Sequence, residues 1–219
     1  MIKLVIFDCD GVVLDSESLY IEAALKVCKK GNYNIPLEII KKVIGGTITL
    51  QKEIILDYMG KDFDFDNYHQ ELVKTITLES INNPPKIKKG FKELINYLKI
   101  NNINTALATS TYKERQMYNL KANDIIDCFD YLLFGDDIKN SKPDPEIYLK
   151  VVEHFNYPKE EILIIEDSLN GILSGLNAGI KVIYIKDLIE ISADIKEKTY
   201  STLNDLSEVI NLIGKINKE

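Results

Sequence analysis

Lys3-Leu-Val-Ile-Phe-Asp8-Cys-Asp10-Gly-Val-Val-Leu-Asp15 begins with a short apolar run that stops at two carboxylates spaced two residues apart. Leu4 to Phe7 read as a buried parallel strand, sheathed on both faces. Ligands of open α/β sheets sit in the crevice beyond the carboxyl ends of the strands, where Asp8 and Asp10 would be delivered. Gly11 lets the chain leave the strand sharply and brings bare backbone close to whatever the acids bind. Taken alone, an Asp-x-Asp-Gly string reads first as an aspartate turn after a strand. The choice between the two depends on the rest of the chain.

Four further apolar segments have the length and composition of buried strands: Thr105 to Ala108, Tyr131 to Phe134, Ile162 to Ile165 and Val182 to Ile185. Helical periodicity lies between most of them. Phe91, Leu94, Ile95 and Leu98 recur at i, i+3, i+4 and i+7, and Ile147, Tyr148, Val151, Val152 and Phe155 form a second stripe. Asp144 is expected to cap that second helix, with Pro145 in its first turn. Strands alternating with helices predict a doubly wound, Rossmann-like α/β sheet.

Between Ser16 and Asn83 the alternation stops. Ile21, Ala24, Leu25 and Cys28 give one helical stripe, and Pro36 to Val43, Leu50 to Tyr58 and Asn67 to Ile81 give three more helices. Asn82-Asn83-Pro84-Pro85 closes the insertion, because proline stiffens the connection and biases its neighbour away from helix. The organisation expected is therefore a discontinuous α/β core of residues 1–15 and 86–219 with an all-helical cap of residues 16–85.

The 219 residues are 45% hydrophobic and 28% charged, ordinary for a globular protein with one substantial core and a smaller module. Lys and Arg number 27 against 34 acids, a formal net charge of −7, which supplies no basic field for a nucleic-acid backbone. Cys9, Cys28 and Cys128 are odd in number and follow no metal-site spacing, so reduced, packed thiols are expected. Asp8 and Asp10 interrupt the amino-terminal apolar run well short of a signal-peptide core, and no stretch approaches the roughly 20 apolar residues of a membrane span. A cytoplasmic monomer without nucleic-acid or membrane partners is the expectation.

Three later segments bear on the opening motif. Thr109-Ser110-Thr111 sets hydroxyls and backbone N–H groups at the end of a strand and before a helix, which suits phosphate oxygens and equally suits a helix cap. Lys142 stands in a proline-flanked loop, Ser141-Lys-Pro-Asp-Pro145, where a lysine is by itself usually just solvated. Ile162-Leu-Ile-Ile-Glu166-Asp167-Ser168-Leu-Asn170-Gly171 ends a second buried strand in adjacent acids. Hard cations such as Mg²⁺ take one or two carboxylates and complete the octahedron with water and phosphate oxygens, so Asp8 and Asp167 are candidate ligands.

In this order, Asp8-Cys-Asp10-Gly, Ala108-Thr109-Ser110, Ser141-Lys142-Pro143-Asp144-Pro145 and Glu166-Asp167-Ser168-x-x-Gly171 closely resemble the haloacid dehalogenase superfamily, in its helical-cap phosphatase and beta-phosphoglucomutase branch. The resemblance covers essentially the whole chain. It implies a strand order of 5-4-1-2-3, placing the first strand between those that carry Thr109 and Asp167. It further implies that Asp8 is the nucleophile, that Asp10 is the general acid and base, and that Lys142 and Thr109 are catalytic. Gly11 and Ser110 would contact the substrate phosphate, and Mg²⁺ would sit among Asp8, Asp10, Glu166 and Asp167.

The implied substrate is a small phosphorylated metabolite, a sugar phosphate or similar. Ile44-Gly-Gly-Thr47-Ile-Thr49 interrupts the helical pattern where the family places a substrate-contacting loop, which makes Thr47, Gln51 and Lys52 candidates for leaving-group contacts. A plain helix–helix turn capped by Thr47 or Thr49 fits the same residues. Alternatives to hydrolysis are a phosphosugar mutase and a non-catalytic phospho-aspartate switch. The mutases that this chain resembles carry a histidine in the first cap helix, and Tyr20 occupies that place here. A phenol titrates at about 10, too far from neutrality to replace a histidine, so hydrolysis is expected. His69 and His154 have no site role.

Overall fold

The computed structural model describes residues 1–187 and 191–218. Six parallel strands form one sheet: β1 (Leu4–Phe7), β2 (Asn104–Ala108), β3 (Tyr131–Leu133), β4 (Ile162–Glu166), β5 (Lys181–Ile185) and β6 (Ser201–Leu203). Their spatial order is β3-β2-β1-β4-β5-β6. This is the expected five-strand order read from the other edge, with β6 added beyond β5. β6 escaped the sequence reading because Ser201-Thr-Leu203 is short, largely polar and only half-buried, as befits an edge strand.

The period of two sorts the central strands between two apolar layers. Val5, Phe7, Leu107, Leu163, Ile165, Ile183 and Ile185 face α5 (Phe91–Ile100), α6 (Lys113–Ala122) and α10 (Ser207–Ile216), meeting Phe91, Leu94, Leu98, Leu120, Val209 and Ile213. Leu4, Ile6, Ala106, Ala108, Ile162, Ile164, Val182 and Tyr184 face the other side. There Ile147, Tyr148 and Val151 of α7 (Glu146–Phe155), Ile172 of α8 (Leu169–Asn177) and Ile195 of α9 (Ala193–Lys196) cover them. The stripe read over residues 91–98 is the buried face of α5, all four residues being inaccessible or nearly so. Helix α7 starts one residue later than expected, at Glu146, but Asp144 still accepts a hydrogen bond from the Glu146 N–H through Oδ1 at 2.9 Å.

The chain divides into two compact units, Met1–Asp15 with Lys86–Glu219, and Ser16–Pro85. The second holds α1 (Ser16–Gly31), α2 (Leu37–Val43), α3 (Ile48–Met59) and α4 (Phe65–Asn82). Its core contains Leu19, Ala23, Ala24, Val27, Cys28, Ile40, Ile55, Tyr68, Leu72 and Ile76. The buried face of α1 is therefore rotated from the expected one: Leu25 is 45% exposed, while Leu19, Ala23 and Val27 are buried. Two alanines allow close approach to α4, the helix that α1 packs on most extensively, and that contact sets the phase. Cys9 and Cys28 are buried free thiols, and Cys128 is a partly buried one. Among the described residues, no helix is long and apolar enough to cross a membrane.

Register determines what the sheet presents at its carboxyl edge. Phe7 lies opposite both Leu107 and Ile165, so one step further puts Asp8 abreast of Ala108 and Glu166. Phe7 is fully buried, with ring centroids 6.0 Å from Phe91 and 5.9 Å from Phe129 in edge-on contacts. Removing this ring opens a cavity directly under Asp8. Phe7→Ala is expected to cost about 3–5 kcal/mol in a urea denaturation curve, the range for burying nothing where a core phenylalanine stood.

Candidate active site

The ends of β1, β2 and β4 bring the expected acids together around one lysine. The Lys142 Nζ donates to Asp8 Oδ1 at 2.5 Å, to Glu166 Oε1 at 2.6 Å and to the Ala108 carbonyl at 3.3 Å. Lys142, Asp8, Glu166 and Asp167 are all buried. The loop that carries the lysine is fixed from both ends. Glu146 accepts from the N–H groups of Lys139 and Asn140 at 3.0 and 2.8 Å. From α8, the Ser174 hydroxyl donates to the Asp144 carbonyl at 2.7 Å, and the Asn177 amide donates to that of Pro143 at 3.1 Å.

Glu166 is saturated. Besides Lys142, the Tyr148 hydroxyl donates to Oε1 at 2.7 Å, while Oε2 accepts from the Asp167 N–H at 3.1 Å and from both the N–H and hydroxyl of Ser168 at 3.2 Å. Ser168 also caps α8 by accepting from the Gly171 N–H at 3.1 Å. A side chain at Gly171 would begin 1.8 Å from Glu166 Oε1, so glycine is required for this close approach. Asp10 is held differently. The Thr111 hydroxyl donates to its Oδ2 at 2.7 Å, whereas Oδ1 is shielded from solvent and makes no hydrogen bond among the described residues. Thr109 is buried, and its hydroxyl accepts from the Thr111 N–H at 3.1 Å. Ser110 is exposed.

Cys9, between the two aspartates, turns into the α5 layer and is fully buried, accepting a hydrogen bond from the Gln116 side-chain amide. This alternation explains the spacing of two: both acids leave the core on one side while the residue between them anchors it. Tyr148 and Gln116 lie outside the motifs read from the sequence, and Thr111, read there as a candidate phosphate contact, instead reaches Asp10. Tyr148 was legible only as part of an apolar stripe, and the partners of Thr111 and Gln116 are more than 100 residues away.

Tyr20, Thr47, Gln51 and Lys52 lie in the helical unit. Thr47 caps α3, accepting from the Leu50 N–H at 3.3 Å. The Gln51 amide donates to the Gly46 carbonyl at 2.9 Å, and Lys52 pairs with Asp66 at 2.9 Å. Burial, chiefly, pushes the Tyr20 hydroxyl above its usual range, so it stays protonated near neutrality. His69 stacks on Phe65 and His154 on Tyr131.

The electrostatics follow from one ammonium among several acids. Burial pushes the Asp8 carboxyl up to about 8; Lys142 opposes this, and Glu166 and Asp10 reinforce it. Burial works against the charge on Lys142, but Asp8 and Glu166 outweigh it and hold the ammonium well above its usual range. Carboxylate oxygens of Asp8, Glu166 and Asp167 lie within 4.8 Å of one another. This all-oxygen, anionic donor set suits a hard divalent cation, whose charge would ionise Asp8.

A family profile described as haloacid dehalogenase-like hydrolase matches residues 5–185. The chain belongs to the haloacid dehalogenase-like hydrolases. It is 32% identical to a phosphorylated carbohydrates phosphatase of Thermotoga maritima, over 95% of this chain and all of that protein. It is 28% identical to a phosphoglycolate phosphatase of Nitrosospira multiformis, over 88% of this chain and 90% of that one. A crystal structure from Thermotoga maritima, provisionally described as a beta-phosphoglucomutase, superposes with a TM-score of 0.79 at 27% identity, covering 98% of this chain and 100% of that chain.

The raised Asp8 carboxyl gives this hydrolase a pH-dependent stability in the absence of metal. Between the ordinary value of 3.8 and about 8, the folded state binds a proton that the unfolded state releases. Stability therefore falls as pH rises through that window. In the presence of a chelator, the melting temperature of the wild type is expected to drop between pH 5 and pH 8, and that of Asp8→Asn to drop less. Scanning fluorimetry at matched ionic strength measures the difference, and parallel curves would remove Asp8 as its source.

Proposed function

We propose that the protein is a Mg²⁺-dependent phosphatase that hydrolyses a small phosphorylated metabolite, a sugar phosphate or similar, through a phosphorylated Asp8. The observation that carries this reading is the convergence of Asp8, Glu166 and Lys142, with Asp10 beside them but tethered separately to Thr111. A nucleophile, a counter-charge and a distinct proton carrier are the parts that two-step phosphoryl transfer requires. The Thermotoga maritima relative, described as a phosphatase of phosphorylated carbohydrates, supports the substrate class.

In the first step an Asp8 carboxylate oxygen attacks phosphorus, the bond from phosphorus to the leaving oxygen breaks, and the proton of the Asp10 carboxyl passes to that oxygen. In the second step water attacks the same phosphorus and gives a proton back to Asp10. The bond from phosphorus to Asp8 breaks, releasing phosphate and restoring both carboxyl groups. Asp10 Oδ1, which has no hydrogen-bond partner among the described residues, is the atom we assign to proton transfer, with Oδ2 fixed by Thr111 so that the carboxyl keeps its direction.

Lys142 stabilises charge spread over the equatorial phosphoryl oxygens, and Thr109, Ser110 and the Gly11 backbone orient them. The carboxylates of Asp8 and Asp167 and the backbone carbonyl of Asp10 would hold Mg²⁺, which when bound would supply positive charge against the negative charge that nucleophile and phosphate bring together. Glu166 belongs to this metal environment mainly through the lysine and the backbone it fixes, since its oxygens are already engaged. Leaving-group specificity falls, in this reading, to the helical unit, with Tyr20, Thr47, Gln51 and Lys52 as contributors.

Asp8→Asn keeps nearly the same shape and loses the nucleophile, so phosphate release from p-nitrophenyl phosphate should fall by on the order of 10⁴ to 10⁶. A pure preparation retaining a tenth of wild-type activity would exclude Asp8 from that role. Activity of the wild type should vanish on chelation and return with Mg²⁺.

The second reading, a phosphosugar mutase, draws on the structural neighbour provisionally described as a beta-phosphoglucomutase. Tyr20 opposes it, because a phenol held protonated by burial supplies no charge change near neutrality. With beta-glucose 1-phosphate and a catalytic amount of beta-glucose 1,6-bisphosphate, inorganic phosphate should appear faster than glucose 6-phosphate. The reverse order would replace hydrolysis with phosphoryl return.

A further inference from the structure

Asp187, two residues beyond the end of β5, belongs to none of the motifs above. Its Oδ1 pairs with the Lys88 ammonium at 2.7 Å, and its side chain is nine-tenths buried. Its Oδ2 is shielded from solvent and makes no hydrogen bond among the described residues. The direction of that oxygen is marked by Gly11: a side chain there would begin 2.0 Å from Asp167 Oδ2 and 3.2 Å from Asp187 Oδ2. The two carboxylates thus converge on the same bare backbone, immediately after Asp10, and carboxylate oxygens of the two lie within 4.8 Å of each other.

Lys88 is itself fixed, its N–H donating to the Val13 carbonyl at 2.9 Å, so the pair holds Asp187 against the segment that follows the nucleophile. An ammonium on the outer oxygen leaves the inner one facing Asp167 with like charge and, among the described residues, no donor. A group that offers protons and tolerates anions on every side resolves this. Water bound to a divalent cation is such a group, because Mg²⁺ keeps several of its waters and outer carboxylates fix their orientation.

We propose that Asp187 is a positioning residue of the cation site, accepting a hydrogen bond from metal-bound water through Oδ2 while Lys88 holds Oδ1. The inference rests on the Mg²⁺ reading above and adds to it a carboxylate from the segment after β5, beyond Asp8, Asp10, Glu166 and Asp167. Gly11 acquires a second reason to be glycine, since any side chain would occupy the space that the two inner oxygens share.

The test is direct binding of Mn²⁺, a spectroscopic surrogate for Mg²⁺, to the purified protein, followed by electron paramagnetic resonance at neutral pH. The wild type should bind Mn²⁺, and Asp187→Asn should bind it about 10-fold to 100-fold more weakly. Lys88→Gln removes the ion pair but keeps the carboxylate, and should stay within about threefold of the wild type. Affinity of Asp187→Asn within twofold of a wild type that does bind overturns the inference and leaves the metal reading intact. An equal loss in Asp187→Asn and Lys88→Gln also overturns it, tracing the effect to the ion pair. A wild type that binds no Mn²⁺ overturns both.

Discussion

A single ammonium, the Nζ of Lys142, holds together acids that would otherwise repel one another at the end of the sheet. It reaches Asp8, just past the end of β1, and Glu166, the last residue of β4, in one place, with both partners buried. A buried charge is tolerated only when paired and hydrogen-bonded, so the lysine cannot be separated from its loop, its loop from α8, or Glu166 from the backbone that it accepts from. Glu146, Ser174 and Asn177 are part of this arrangement because they fix the loop. Parallel register does the rest by placing the last residues of β1 and β4 side by side.

The carboxylates of this cluster differ in how fully they are satisfied. Glu166 accepts from every side and is fixed. Asp8 has an ammonium on one oxygen, Asp10 a hydroxyl on one, and Asp187 an ammonium on one. An acid whose lone pairs are all engaged can orient its neighbours but has little capacity to exchange protons or bind a newcomer. An acid with one oxygen tethered and one open keeps its direction and retains that capacity. The same division separates the saturated carboxylate from the half-engaged ones without reference to their order in the chain.

The elements most legible in the sequence were those decided locally. β1, β2, β4 and β5 are apolar runs with abrupt ends, and the acids at those ends were readable because the apolar runs of β1 and β4 stop at Asp8 and Glu166. α5 was readable because its apolar stripe is also its buried face. The rest was set by partners distant in sequence. The phase of α1 depends on α4, and Leu25 had nothing in its own neighbourhood to mark it as exposed. β6 exists because β5 offers an unpaired edge to Ser201-Thr-Leu203, a segment with no strand pattern of its own. Tyr148 read as core, and it is core, with a hydroxyl that happens to reach Glu166.

Residues that serve structure and residues that serve chemistry draw on the same chemical types, and only surroundings separate them. Thr47 accepts a helix N–H and completes a cap, whereas Thr111, also next to a helix start, donates to a carboxylate 101 residues away. Lys52 pairs with an exposed acid inside the helical unit, while Lys142 is buried between two. An exposed pair of the first kind contributes little to stability and can be exchanged at small cost. Removing one member of the second strands a buried charge, which is costly wherever it occurs. Tolerance to substitution should therefore follow burial and partner count more closely than residue type, with Lys142 and Glu166 at the intolerant extreme even for variants that never meet substrate.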